Sequence, residues 1–249
     1  MKRDGESDRL SLEYAAKMAE TRMRPRFTRF LDPADLAEAK SVLQGRTLDF
    51  VSWGGYEGAE RQIGCFCPAG ETPEPEEFPV VCLRSAYNSR FASISHRDVL
   101  GAYMALGLTR NCLGDIIVGD TDVFLFVEKA SAPYIEEQFE SAGRVHLAFR
   151  QTDPAGMLPE PKGSYFRAVI PSLRLDAAVA AAFKTSRTKA AEWIRAGGVK
   201  VDHLVCEKTD HGVAAGTLLS VRGQGRARLT SVDGTTRKDR IGVTFFRFE

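Results

Sequence analysis

The stretch Arg174–Asp202, RLDAAVAAAFKTSRTKAAEWIRAGGVKVD, constrains the fold more than any other part of the chain. Apolar residues recur at Leu175, Ala178, Val179, Ala182 and Phe183, the i, i+3, i+4, i+7, i+8 stripe of a helix with one buried face. Lys184 and Thr185 break that pattern, and Ser186 is placed to cap a second helix whose apolar side is Ala190, Trp193 and Ile194. Gly197-Gly198 ends the second helix, and Val199 to Val201 alternates like a strand. Two short helices feeding a strand leave little room for a catalytic pocket but expose a basic helix start.

With Ser186 as the cap, Arg187 and Lys189 fall in the first helical turn, beside backbone N–H groups and the positive end of the helix dipole. Phosphate binds well at such a start. Arg174 begins the preceding helix, and Lys184, Arg195 and Lys200 are close in sequence. Composition alone describes a solvated basic face. The order R-L-D, S-R-x-K-A, then G-x-V-x-V narrows the reading, because it resembles the small RNA-binding domain first described in ribosomal protein S-four, the alpha-L domain. By motif position, that resemblance gives Arg174, Ser186, Arg187 and Lys189 an RNA-contact role. Asp202 departs from it, since asparagine is usual in V-x-V-N and a carboxylate there would repel phosphate.

Charge is distributed to match. From Tyr165 to Glu249 there are 15 Lys and Arg against 8 Asp and Glu, a balance of +7; Met1 to Ser164 carries 19 and 25, a balance of −6. A basic C-terminal part on an acidic remainder suits a directed nucleic-acid contact. The N-terminus MKRDGESDRL has no apolar core of a signal peptide, and no segment approaches the roughly 20 apolar residues of a membrane span. Five cysteines without framework spacing imply reduced thiols and a cytoplasmic protein. Cys65 and Cys67, with no second Cys/His pair nearby, make a poor zinc site and are expected on one face of a strand.

In chain order, residues 6–23 suit a helix with Leu10, Tyr14, Ala15 and Met18 on its packed side, followed by a basic connector, Arg22, Arg24, Arg26 and Arg29, able to touch RNA phosphate. Asp32-Pro33 starts a second helix that ends near Leu43. Strands are expected at 47–53 and 61–67, before the acidic, proline-rich loop 68–77. A strand at 80–86, a helix begun by Ser95 and Asp98 with Val99, Leu100, Tyr103, Met104 and Leu106 on its apolar side, strands at 115–118 and 122–128, a helix at 133–141 and a strand at 144–150 then give β-α-β-β-α-β. That is the split order of ferredoxin-like and RRM-like domains. Val123, Leu125 and Val127 lie on one face of a strand and Phe124 and Phe126 on the other, either stacking bases as in an RRM or covered by the extra N-terminal elements. Strands at 199–205, 217–222, 226–232 and 241–248 follow, with turns at Gly223-Gln224-Gly225 and Asp233-Gly234. Arg222, Arg226 and Arg228 surround the first of these turns and extend the basic surface, so that Lys184, Arg195, Lys200, Arg222 and Arg226 join Arg174, Ser186, Arg187 and Lys189 as nine candidate RNA contacts. The expected organisation is an N-terminal helical segment (1–46), an RRM-like domain (47–150), a Pro/Gly linker (151–164) and an S-four-type domain (165–249), an α+β fold class.

FLDP at 30–33, WGGYEGAER at 53–61, YNSRF at 87–91, HRDVLGAYMALGL at 96–108 and GDI at 114–116 sharpen the resemblance. With the C-terminal S-four domain, they resemble the YlmH family of bacterial RNA-binding proteins, associated with ribosome quality control and linked through gene neighbourhood to cell division. The resemblance implies binding to a large ribosomal subunit carrying an obstructed peptidyl-tRNA, with rRNA and tRNA as partners. From the residues themselves no membrane, small-molecule substrate, cofactor or metal is expected. Enzyme readings fail on spacing. His96-Arg97-Asp98 has no following asparagine or D-F-G of a kinase. Gly223-Gln224-Gly225 opens no helix. Asp176 sits in the RNA-binding helix and not in a pseudouridine synthase loop, and the signatures of tyrosyl-tRNA synthetases are missing. The alternatives to a non-enzymatic binding factor are an RNA-modifying enzyme with an unrecognised N-terminal site and a division-linked scaffold.

Overall fold

Residues 122–128 carry apolar side chains on both faces of one strand, so two separate layers must cover it. The structure, a computed structural model, describes residues 4–88, 93–235 and 240–249 and divides into two compact units, Met1–Pro159 and Glu160–Glu249. Ser89 to Phe91 of the YNSRF string lie outside the described residues.

In the first unit, helix α1 (Asp4–Arg22) leads into strand β1 (Arg26–Leu31), helix α2 (Pro33–Val42) and strands β2 (Leu48–Trp53) and β3 (Gln62–Pro68). β1 and β2 flank β3 in an antiparallel sheet. Then follow β4 (Val80–Ala86), α3 (His96–Ala105), β5 (Leu113–Val118), β6 (Asp122–Glu128), α4 (Ala132–Gln138), the hairpin of β7 (Ser141–Ala142) and β8 (Val145–His146), and β9 (Arg150–Thr152). The sheet order β5-β6-β4-β9 is that of the split β-α-β-β-α-β arrangement. α3 and α4 cover one face of this sheet through Val99, Tyr103, Ala132 and Ile135 against Leu83, Leu125 and Val127. The β1-β3-β2 sheet covers the other, packing Phe30, Ile63, Cys65 and Cys67 against Cys82, Phe124 and Phe126. Leu12, Ala16 and Ala19 of α1, with Ala39 and Val42 of α2, close the far side of that sheet over Leu48 and Phe66.

Several expectations are corrected by this layering. Of the two alternatives for Phe124 and Phe126 the covered one holds: at 1% and 0% exposed they are core residues and offer no base-stacking surface. α1 packs through Leu12, Ala16 and Ala19, the two alanines permitting close approach to the sheet, while Leu10 and Tyr14 point to solvent on the opposite face. The arginine run turns at Met23 (φ 48°) and enters β1 instead of forming a connector. Arg29 is engaged within the unit, donating to Cys112 Sγ at 2.6 Å and pairing with Glu128 at 3.3 Å. The last strand is not 144–150: a hairpin occupies its start, and the edge strand β9 runs into the segment expected as linker. α4 stops at Gln138, and Met104 of α3 is exposed.

The strings WGGYEGAER and GDI form a clasp between the two sheets of this unit. Gly55 has φ +97°, and a Cβ there would sit 2.5 Å from Phe126 Cδ1, so only glycine lets the turn reach the aromatic layer. Asp115 accepts from Tyr56 Oη at 2.8 Å and from the N–H groups of Glu60 (2.7 Å) and Arg61 (3.1 Å). Arg61 donates to the carbonyls of Leu113, Phe30 and Arg110. Burial and then the Asp115 carboxylate push the Tyr56 phenol up, keeping it a donor. These motif residues therefore hold structure together.

The second unit begins with β10 (Gly163–Ile170), a strand that no pattern in the sequence marks. Helices α5 (Leu175–Ala182) and α6 (Arg187–Arg195) follow, then β11 (Val199–Val201), β12 (Leu204–Val205), β13 (Leu218–Val221), β14 (Gly225–Thr235) and β15 (Ile241–Phe248). The sheet order is β10-β15-β14-β13-β11-β12, antiparallel throughout. α5 and α6 pack on one face through Leu175, Ala178, Val179, Ala190 and Ile194 against Leu219, Val221, Leu229 and Phe245. The strand expected over 199–205 is a hairpin, folded at Asp202 (φ 46°) and His203 (φ 72°). Asp233-Gly234 is not a turn: β14 continues through it with two bulges.

Replacing Asp115 by alanine removes three hydrogen bonds and leaves the part-buried Tyr56 hydroxyl and Arg61 N–H without their acceptor. A loss of about 2–4 kcal/mol is expected in the urea unfolding free energy of the first unit; a loss below about 1 kcal/mol would show the clasp to be dispensable.

Candidate nucleic-acid interface

The second unit builds its basic helix start from the backbone upward. α5 begins against the loop that follows β12: Leu175 N–H donates to His211 O at 2.8 Å, Asp176 N–H to Thr209 O at 3.0 Å and Val213 N–H to Leu173 O at 3.0 Å. This lacing buries Asp176, 7% exposed, in the first turn of the helix. Its Oδ1 accepts from Ala177 N–H at 2.8 Å and from Arg174 Nε at 3.3 Å, and its Oδ2 accepts from Arg187 Nη2 at 2.6 Å. One buried carboxylate thus clamps two arginines from two helix starts. Burial alone would raise the Asp176 carboxyl, but the hydrogen bonds from Arg187 and Arg174 outweigh it and hold it below the ordinary carboxylate value.

Ser186 caps α6 as expected, its Oγ accepting from Lys189 N–H at 3.1 Å. Lys189 Nζ pairs with Glu192 at 3.0 Å, with both side chains more than half exposed, so the pair adds little stability. Lys184 occupies the left-handed region at φ 51° and closes α5: Thr185 N–H donates across it to Ala180 O at 2.9 Å. Glycine is the usual residue at that position of a helix end.

All nine candidates are exposed, but they do not form one cluster. Lys184, Ser186, Arg187 and Lys189 gather at the α5–α6 junction, and Arg174, at the start of α5, meets Arg187 through their shared partner Asp176. Arg195 lies in the last turn of α6, about 12 Å along the axis from Arg187. Arg222 follows β13 near that far end, its N–H donating to Gly198 O at 2.9 Å. Lys200 and Arg226 lie on the sheet face away from the helices, sharing a cross-strand row in which Ser220 pairs with both. Asp202 is engaged with its own hairpin: its Oδ1 accepts from Leu218 N–H at 2.8 Å, and its N–H donates to Leu218 O at 2.9 Å. Aspartate tolerates the left-handed turn, as asparagine does, and its carboxylate is used within the hairpin. The residue missed from sequence is Asp176; its carboxylate, in the helix that precedes the S-R-x-K start, was the available signal.

Among the described residues no group of three or more His, Cys, Asp or Glu is placed to hold a metal ion, and no helix is long and apolar enough to cross a membrane. Cys65 and Cys67 share the buried face of β3, and burial pushes the Cys65 thiol up to about 12.

A helix pair on an antiparallel sheet, with an arginine clamped at the start of each helix, defines an S4-type domain, and the S4 domain family model matches residues 173–219. The models described as "YlmH, N-terminal" and "Putative RNA-binding domain in YlmH" match residues 9–63 and 73–155. The chain belongs to the YlmH family. It is 34% identical over 232 residues, 93% of this chain and 90% of the relative, to the "Ribosome-associated protein quality control protein P2" of Bacillus subtilis (strain 168). The solved structure of "Cell division protein ylmH from Streptococcus pneumoniae" shares the fold, with a TM-score of 0.55 and 18% identity over 64% of this chain and 97% of that one.

The strained helix end and the clamp both leave a signature in stability. Lys184→Gly relieves a strained backbone at the cost of a charge and is expected to raise the unfolding free energy by about 1 kcal/mol, read from urea midpoints. Because the native Asp176 carboxyl titrates lower than in the unfolded chain, the clamp's stabilisation is full above the ordinary value of about 3.9 and is lost as pH falls through the lowered native value. Asp176→Asn is expected to unfold more easily at neutral pH and to show a flatter loss of stability as pH falls below about 4 in the same measurement.

Proposed function

We propose that this protein is a non-enzymatic, cytoplasmic RNA-binding factor that docks on the large ribosomal subunit, on rRNA, peptidyl-tRNA or both, in the rescue of stalled translation. The observation that carries the reading is the pair Arg174 and Arg187, held side by side on Asp176 next to the Ser186-capped start of α6. A preorganised fork of guanidiniums beside a helix N-terminus suits a phosphate backbone. Lys184 and Lys189 add charge at the same place, and residues 165–249 act as the RNA-binding module. The name of the Bacillus subtilis relative supports the ribosomal setting, and the acidic first unit is assigned a second contact.

The test is the affinity of the full chain for purified large subunits over a range of salt concentrations. Arg187→Ala with Lys189→Ala is expected to weaken binding at least about tenfold and to flatten the slope of log K against log salt by about one unit for each phosphate no longer neutralised. Unchanged affinity and slope would remove the docking site from α6. Asp176→Ala, which keeps every cation but releases both arginines, is expected to give an intermediate loss.

A further inference from the structure

The strands of the second unit carry aromatic residues on both faces. Phe166 and Phe245 face the helices and belong to the core, whereas Tyr165, Phe246 and Phe248 project from the opposite side of the sheet. Tyr165 is 71% exposed, and Phe246 and Phe248 are partly exposed. The three rings form one surface: Tyr165 and Phe246 have centroids 4.9 Å apart, and Phe246 meets Phe248 edge-on, also at 4.9 Å. Gly163 makes room for it, since a Cβ there would lie 2.6 Å from Phe246 Cζ. Arg226 and Arg228 rise from the neighbouring strand with guanidiniums 5.1 and 5.9 Å from the Phe248 ring centroid. Lys200 extends the same row across β13. Asp233 is a carboxylate on this side, and it is bonded to the hydroxyls of Ser231 and Thr244, with Arg167 close enough to help hold it ionised.

We propose that this outer sheet face is a binding platform for single-stranded RNA, separate from the start of α6. It deepens the functional reading above and rests on RNA being the ligand. Exposed rings at cross-strand spacing fit unstacked bases, about two or three at a time on a sheet of this kind. The arginines and Lys200 lie where a phosphate backbone would pass, and guanidinium planes themselves stack on bases. A duplex gains nothing from such rings, because its bases already stack on each other. An apolar protein partner would have to desolvate the interleaved arginines at a cost that an RNA backbone avoids. Charge and ring geometry therefore favour a single strand.

The experiment is fluorescence anisotropy of labelled oligouridylate, and of a labelled RNA hairpin duplex, titrated with the full chain. Wild type is expected to prefer the single strand. Tyr165→Ala, at a site too exposed to disturb folding, is expected to weaken oligouridylate binding by about tenfold or more, Tyr165→Phe by less than about twofold, and Arg226→Gln with Arg228→Gln by about tenfold at low salt. Arg187→Ala with Lys189→Ala is expected to leave most oligouridylate affinity in place while reducing binding to the large subunit. Equal affinity of Tyr165→Ala and wild type for oligouridylate overturns the platform, as does no preference for single strand over duplex. Absence of oligouridylate binding by wild type also overturns it, and points to a protein on this face. Retained large-subunit binding in any of these cases leaves the α6 docking site intact.

Discussion

A single carboxylate, Asp176, sets the geometry on which the basic end of the second unit depends. Arg174 and Arg187 come from different helix starts and repel each other, so bringing them together needs an internal counter-charge. Burying that charge is costly unless its oxygens are satisfied. Here both are satisfied, by the two guanidiniums and the Ala177 N–H, and the backbone around them is laced to the carbonyls of Thr209 and His211. Each arginine remains about half exposed, 44% and 51%, so one part of each side chain is fixed and the rest addresses solvent. Fixing the cations beforehand lowers the ordering cost of meeting a polyanion.

Backbone strain in the same unit has the same direction. Lys184, Asp202 and His203 all hold positive φ, where glycine or asparagine would sit more easily. Asp202 is compensated by its pair of hydrogen bonds to Leu218. Lys184 closes a helix end where glycine would serve the fold better, and it places a cation beside the capped start of α6.

The sequence exposed the local chemistry of this unit well and its long-range pairing poorly. The i, i+3, i+4 stripe, the Ser186 cap and the glycine stop all depend on neighbours within a turn or two, and each is found where the pattern places it. The split β-α-β-β-α-β order was legible for the same reason. What failed was decided by distant partners. Leu10 and Tyr14 form as good an apolar pair as Leu12 and Ala16, and only the sheet beneath α1 selects between them. β1 hides in an arginine run because its pairing with β3 outweighs its composition. The fate of Phe124 and Phe126 could be posed from the strand alternation but not resolved, since the covering sheet arrives from residues 26–68. Asp176 was visible, yet its role needs Arg187, eleven positions away and on another helix.

Closing the aromatic face of the first unit changes where RNA chemistry can reside. In an RRM the sheet itself presents rings to bases. Here that sheet is sealed on both sides, and its unit carries the acidic balance of the chain. Rings open to solvent beside arginines are instead found on the sheet of the second unit, on the face its helices leave uncovered. The two basic surfaces of that unit then differ in physics. The α6 start offers point charges and backbone dipoles, which respond to phosphate density and weaken steeply with salt. The outer face offers polarizable planes, whose stacking survives salt and requires bases that are not already stacked. Presenting both on one small domain would let it distinguish a folded RNA with an unpaired segment from a plain duplex, a discrimination that neither surface makes alone.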